Sequence, residues 1–127
     1  MRGFLAATAA TLVLCSTADA VAAGSQITRT VPAGKTTVVM SYRPRNRFCE
    51  STAAVATLVA KPQHGTVSHH SESTTMPAGR CYGKPTVGFV VTYTPGPGFR
   101  GVDHFIIEVK NPGAGVHRLD GFAIIVE

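Results

Sequence analysis

The sequence has no tryptophan, which removes the buried Trp that packs on the inter-sheet bridge of antibody domains. After the first two dozen residues nothing resembles an amphipathic helix, so no strand–turn–helix elbow can present a nucleophilic serine. Cysteine is scarce, with three in 127 residues, and no Cys-x-x-Cys occurs, which argues against a catalytic dithiol. No His-x-His pair occurs either. His64, His69, His70, His104 and His117 lie apart, and His69 and His70 point to opposite faces if their segment is a strand. A zinc or copper site needs three or four converging ligands, so these read as surface histidines. Acids are few: Asp and Glu total seven. Glu50, Glu72, Glu108, Asp103 and Asp120 are scattered and offer no preferred pair for glycoside chemistry. No catalysis, cofactor or metal is expected.

A long hydrophobic run is also missing. The apolar stretch Phe4 to Cys15 falls short of the ~20 residues that span a bilayer. With Arg2 before it and Ala18-Asp19-Ala20 or Ala20-Val21-Ala22 after it, residues 1–23 read as a secretory signal and 24–127 as one domain. Leu14 stands where lipoprotein processing wants a small residue, which argues against lipidation at Cys15. Removing the segment takes away one cation, Arg2, and one anion, Asp19, so the net charge stays at +5. Cys49 and Cys81 remain. In an exported chain an even pair most simply forms a disulfide, worth about 3–4 kcal/mol through the unfolded state. The expected location is periplasmic or extracellular, in a bacterium, with no membrane span left after processing.

Glycine (13) and proline (8) are plentiful, and they punctuate short apolar runs as in an all-β domain. Gln26 to Val31 is a first strand. Pro32-Ala33-Gly34 suits a type II turn, and Thr36 to Tyr42 follows with Val38, Met40 and Tyr42 expected inward. Arg43 to Thr52 is a basic loop. Ala54 to Ala60 and Thr66 to His70 are the next strands, and Ser71 to Pro85 reads as a long irregular segment tied down by Cys81. Phe89, Val91 and Tyr93 share one face of the following run. After the Pro/Gly corner 95–101, Phe105, Ile107 and Val109 share another, a hairpin-like arrangement. Gly121 to Val126 closes the domain with Phe122, Ile124 and Val126 inward. About seven strands at this spacing predict an antiparallel β-sandwich.

Two stretches carry a resemblance. Pro62-x-His64-Gly65-Thr66-Val67 and Tyr93-Thr94-Pro95-x-Pro97-Gly98-Phe99-x-Gly101-x-Asp103-x-Phe105, followed by an apolar last strand, resemble the bacterial cadherin-like or Ig-like repeat. The likeness covers residues 54 to 127. It implies an Ig-like sandwich and a role in adhesion, spacing or carbohydrate and partner contact. This chain departs from the pattern in being a single basic domain with a disulfide, and it lacks the acidic ligands of inter-repeat calcium sites.

Within that frame, Gly101 and Asp103 are expected to form a structural turn, the carboxylate accepting backbone N–H bonds and locking the 95–101 loop. A Cys49–Cys81 bond would bring Cα atoms to about 5.5 Å. It would thereby gather Arg43, Arg45, Arg47, Arg80 and Lys84 at one end, opposed locally by Glu50. Arg-x-Arg-x-Arg alternation would aim three of them one way if extended, and Tyr42, Phe48 and Tyr82 would share the patch as stacking surfaces. The expected partner is anionic: an acidic glycan, an envelope component or an acidic protein. Nucleic acid is not expected. Two other readings stand beside this one: an envelope protein assembling through an edge such as Gln26 to Val31, and a periplasmic metal-binding protein. Oligomeric state is left open.

Overall fold

The computed structural model describes residues 25–127. Residues 1–23, expected to be a secretory signal, and Cys15 within them lie outside the described residues. Seven strands form: β1 (Gln26–Val31), β2 (Thr37–Tyr42), β3 (Val55–Ala60), β4 (Gly65–Thr75), β5 (Pro85–Pro95), β6 (Gly101–Asn111) and β7 (Val116–Val126). A single 3-10 turn, Pro112–Ala114, joins β6 to β7. Two sheets result, ordered β1-β7-β6-β3 and β2-β5-β4, and the domain is an all-β, disulfide-bonded sandwich.

The connections set this arrangement. Pro32-Ala33-Gly34 turns the chain as expected, with Lys35 N–H donating to the Pro32 carbonyl at 3.4 Å and Gly34 at φ +72°. The turn moves the chain from one sheet to the other, so β1 has no hairpin partner. It lies parallel to β7, with Gln26 opposite Gly121 and Val31 opposite Val126. An antiparallel pattern throughout was expected; this one pairing is the exception.

The Pro/Gly corner 95–101 is likewise not a hairpin. β5 and β6 belong to different sheets, so the two apolar stripes the corner joins face each other. Tyr93 stacks on Phe105 with ring centroids 6.2 Å apart, and Phe105 on Phe122 at 4.5 Å. All three are at most 1% exposed. This aromatic column, flanked by Val91, Ile107 and Ile124, is the centre of the core, each large side chain contributing about 1.5–3 kcal/mol by burial.

Two expectations are corrected. In β2 Met40 and Tyr42 pack against the core as expected, but Val38 is 56% exposed and Val39, 3% exposed, is buried in its place. A bulge between Val38 and Met40 adds one residue and shifts the alternation. The segment 71–85 is not irregular over its length. β4 runs unbroken to Thr75, in register with β5 along its whole length, because each Ser and Thr finds a ladder partner on β5. Only residues 76–84 remain as loop, and Pro85 stands at the first position of its strand, where its missing N–H is tolerated.

Candidate functional site: the disulfide-bonded tip

The sulfurs of Cys49 and Cys81 are bonded, with Cα atoms 5.3 Å apart. The bond ties the β2–β3 loop to the β4–β5 loop at one end of the sandwich, and each loop is ordered by its own hydrogen bonds. In the first, Arg45 bridges Ser51, and Asn46 N–H donates to the Glu50 carbonyl at 2.9 Å. The Asn46 Oδ1 accepts the N–H groups of Phe48 (2.9 Å) and Glu50 (3.1 Å), an Asx turn that needs this side chain. In the second, Met76 N–H donates to Lys84 O and Gly83 N–H to Met76 O, each at 2.9 Å.

These loops bring Arg43, Arg45, Arg47, Arg80 and Lys84 to the same end. The Arg80 guanidinium donates to the Arg47 carbonyl, which fixes one loop against the other beside the disulfide. Arg45 Nη1 lies 3.8 Å from Met76 Sδ. The expected alternation of Arg43, Arg45 and Arg47 along an extended segment does not occur, because the Asn46 turn folds the chain back at Arg47. That guanidinium sits over the Phe48 ring at 4.8 Å. Glu50 is held by the Asn46 amide at 2.8 Å and forms no ion pair with any of the five cations at the tip.

Of the three aromatics expected here, two belong. Phe48 is 66% and Tyr82 73% exposed. Tyr42 instead packs inward against Phe89, ring centroids 5.2 Å apart, with the Arg118 guanidinium over its ring at 5.1 Å. Shallow grooves lie at this end. One, of about 460 Å³, runs between Phe48, the Cys49 side chain, Lys84, Pro85 and Val87. Another, of about 400 Å³, is lined by Arg43, Arg45, Arg47 and Asn111. Each of these two carries one buried polar atom with no partner among the described residues: Thr86 Oγ1 in the first and Asn111 Oδ1 in the second. Sequence reasoning missed Thr86, Val87 and Asn111, since their position follows only from the register of β5 and β6.

At the opposite end, Gly101 and Asp103, expected in a structural turn, lie in the first residues of β6, and the wiring differs from expectation. Asp103, 2% exposed, accepts N–H bonds from Gln63, His64 and His104, each at 3.0 Å, and the Tyr93 hydroxyl at 2.8 Å. It therefore locks the β3–β4 turn rather than the 95–101 loop. That loop is joined to the same turn through Gly96 N–H, which donates to the His64 carbonyl at 2.7 Å. Gly101 takes φ +131°, a conformation that requires glycine. Burial alone would raise the Asp103 carboxyl. The Tyr93 hydroxyl and the three N–H donors outweigh it and hold the group below the ordinary carboxylate range. For Tyr93, burial and then the bond to Asp103 and its negative charge push the phenol well up.

Asp120 is fully buried and pairs with Arg118 at 3.0 Å. Nowhere among the described residues do three or more His, Cys, Asp or Glu side chains converge as a metal site would require. No described helix is long and apolar enough to cross a membrane.

No protein-family model matches the chain, and no curated protein matches it. Among solved structures, the solution structure of amebosin is similar over 82% of this chain and 98% of that one, at 12% identity and a TM-score of 0.46. A likeness that weak assigns neither fold nor function.

Proposed function

We propose that the protein is an exported, non-catalytic Ig-like binding module whose disulfide-bonded tip contacts an anionic partner, with an acidic polysaccharide as the best fit. One observation carries the reading: the Cys49–Cys81 bond assembles five cations from two loops beside the exposed rings of Phe48 and Tyr82. Guanidinium groups pair with carboxylate or sulfate, and an exposed ring can stack on the apolar face of a sugar. The disulfide itself belongs to an oxidising compartment, which suits an envelope or extracellular partner.

The test is retention of the purified protein on immobilised heparin or another acidic glycan at rising salt. The wild type is expected to elute late. R43E/R45E/R47E is expected to elute much earlier, and F48A at intermediate salt. Charges at the tip interact over about a Debye length, 8–10 Å, so elution should track ionic strength. Unchanged elution of the triple variant would refute the reading. Loss of retention in the triple variant but not in F48A would favour an anionic surface or an acidic protein over a sugar ring.

A further inference from the structure

We propose that β4 is a self-pairing edge, along which two copies of the chain join antiparallel about a two-fold axis at Ser71 to make one six-stranded sheet. This rests on the strand edges and is independent of the tip.

A sandwich of two open sheets has four edge strands: β1, β3, β2 and β4. An unprotected edge offers unpaired N–H and C=O groups to another strand, and proteins blunt such edges with charge, proline, bulges or brevity. Three of the four edges here are blunted. β1 and β2 have six residues each. Arg29 of β1 reaches across to cap the Val39 carbonyl of β2 at 3.1 Å, at the place where β2 is bulged. β3 also has six residues, carries a bulge between Leu58 and Ala60, and runs straight into Lys61-Pro62.

The edge of β4 has no proline, no bulge and no brevity, and its one formal charge is Glu72. It has eleven residues, GTVSHHSESTT, with no Lys, Arg or Pro. It pairs residue for residue with β5 without a bulge, so its outer side is a straight ladder. Among the described residues nothing covers that side. Most of its side chains are exposed: beside His69, His70 and Glu72 they are small hydroxyls, which add little obstruction to an approaching strand.

The occupant follows from the strand's own charges. β4 has one acid, Glu72, and two histidines, His69 and His70. In an antiparallel self-pair centred on Ser71, residues whose numbers sum to 142 lie opposite. Glu72 then faces His70 of the other copy, twice over, and Val67 faces Thr75. A one-residue shift, to a centre at Glu72, would set the two carboxylates against each other, and a centre at His70 would leave Glu72 opposite Ser68. Opposite partners directly across a ladder are favourable and like charges are not, so the pattern selects the Ser71 register and a second copy of this chain.

Sedimentation equilibrium of the purified protein tests this. The wild type is expected to reach dimer mass at concentrations on the order of 0.1 mM, as befits a small interface. S71K, which sets two lysines face to face on the axis, is expected to weaken association at least about tenfold. H70E, which sets a second carboxylate directly across from Glu72, should weaken it as well, and H70E/E72K should restore it. A wild type that stays monomeric to about 1 mM, a dimer indifferent to S71K, or no rescue in H70E/E72K overturns the proposal. So does a dimer lost in R43E/R45E/R47E but kept in S71K, since the interface would then lie at the tip.

Discussion

Removing the Asp103 carboxylate should be among the most damaging single changes the domain can suffer. Its oxygens accept four hydrogen bonds at 2.8–3.0 Å, at a site 2% exposed. Hydrogen bonds to a charged group contribute about 1.5–3 kcal/mol each and are not additive. In D103A the Tyr93 hydroxyl is stranded beside the aromatic column and the β3–β4 turn loses two anchors, so a loss of about 3–5 kcal/mol is expected. For a domain of this size each kcal/mol moves Tm by about 4–8 °C. Thermal unfolding should therefore fall by roughly 12–40 °C against a total stability of about 5–15 kcal/mol. D103N keeps one acceptor oxygen and should lose about half as much. Y93F should cost about 1–2 kcal/mol, and the double variant should fall short of the sum, because both changes remove one shared bond. The carboxyl titrates lower in the folded chain than its ordinary value near 4. Its contribution is present above about pH 4 and is lost as pH falls through the lower folded value, so D103N should flatten the acid limb of the stability profile. Tyr93 is shifted the other way. Its contribution holds below about pH 10 and is lost as pH climbs beyond it, a loss Y93F should abolish. If D103N melts within about 2 °C of the wild type, the account of this residue as an anchor is wrong.

Other substitutions test other parts of the fold. A Cβ on Gly88 would clash with the Tyr42 carbonyl oxygen, so G88A should force β2 from β5 and cost at least about 1–3 kcal/mol by denaturant unfolding. R118A leaves the buried Asp120 carboxylate with only the Ser25 N–H, at 3.3 Å. A loss of about 3–5 kcal/mol is expected, largely recovered in R118M/D120L, where neither charge remains. C49A/C81A opens a loop closed over a separation of 32 residues and should cost about 3–4 kcal/mol. The same variant should also lower the salt at which the protein leaves an acidic-glycan column.

Much of this fold could be read from alternation and punctuation, and the exceptions share a physical origin. The Phe89-Val91-Tyr93 and Phe105-Ile107-Val109 stripes are inward as their period of two requires. Their mutual arrangement is not written in that period, because a Pro/Gly corner can reverse a strand within a sheet or carry it to the opposite one. Val38 and Val39 are chemically identical, so only the bulge decides which is buried. The Ser/Thr run after His70 has the composition of a loop, yet it becomes strand because β5 is long enough to pair with it. At the tip, the two cysteines were enough to bring Arg80 and Lys84 to Arg43, Arg45 and Arg47. The Asx turn at Asn46 and the grooves beside the bridge depend on registers set by distant strands, which no local pattern encodes.

The lock between Tyr93 and Asp103 has an optical consequence. With no tryptophan and three tyrosines, the chain's near-ultraviolet emission comes from Tyr42, Tyr82 and Tyr93. A phenol bonded to a carboxylate loses its excited-state proton readily and emits weakly, so Tyr93 should be dark while the sandwich is closed, and solvent-facing Tyr82 bright. Brightening on denaturation would then include the release of Tyr93 from Asp103, without a dye or an engineered probe.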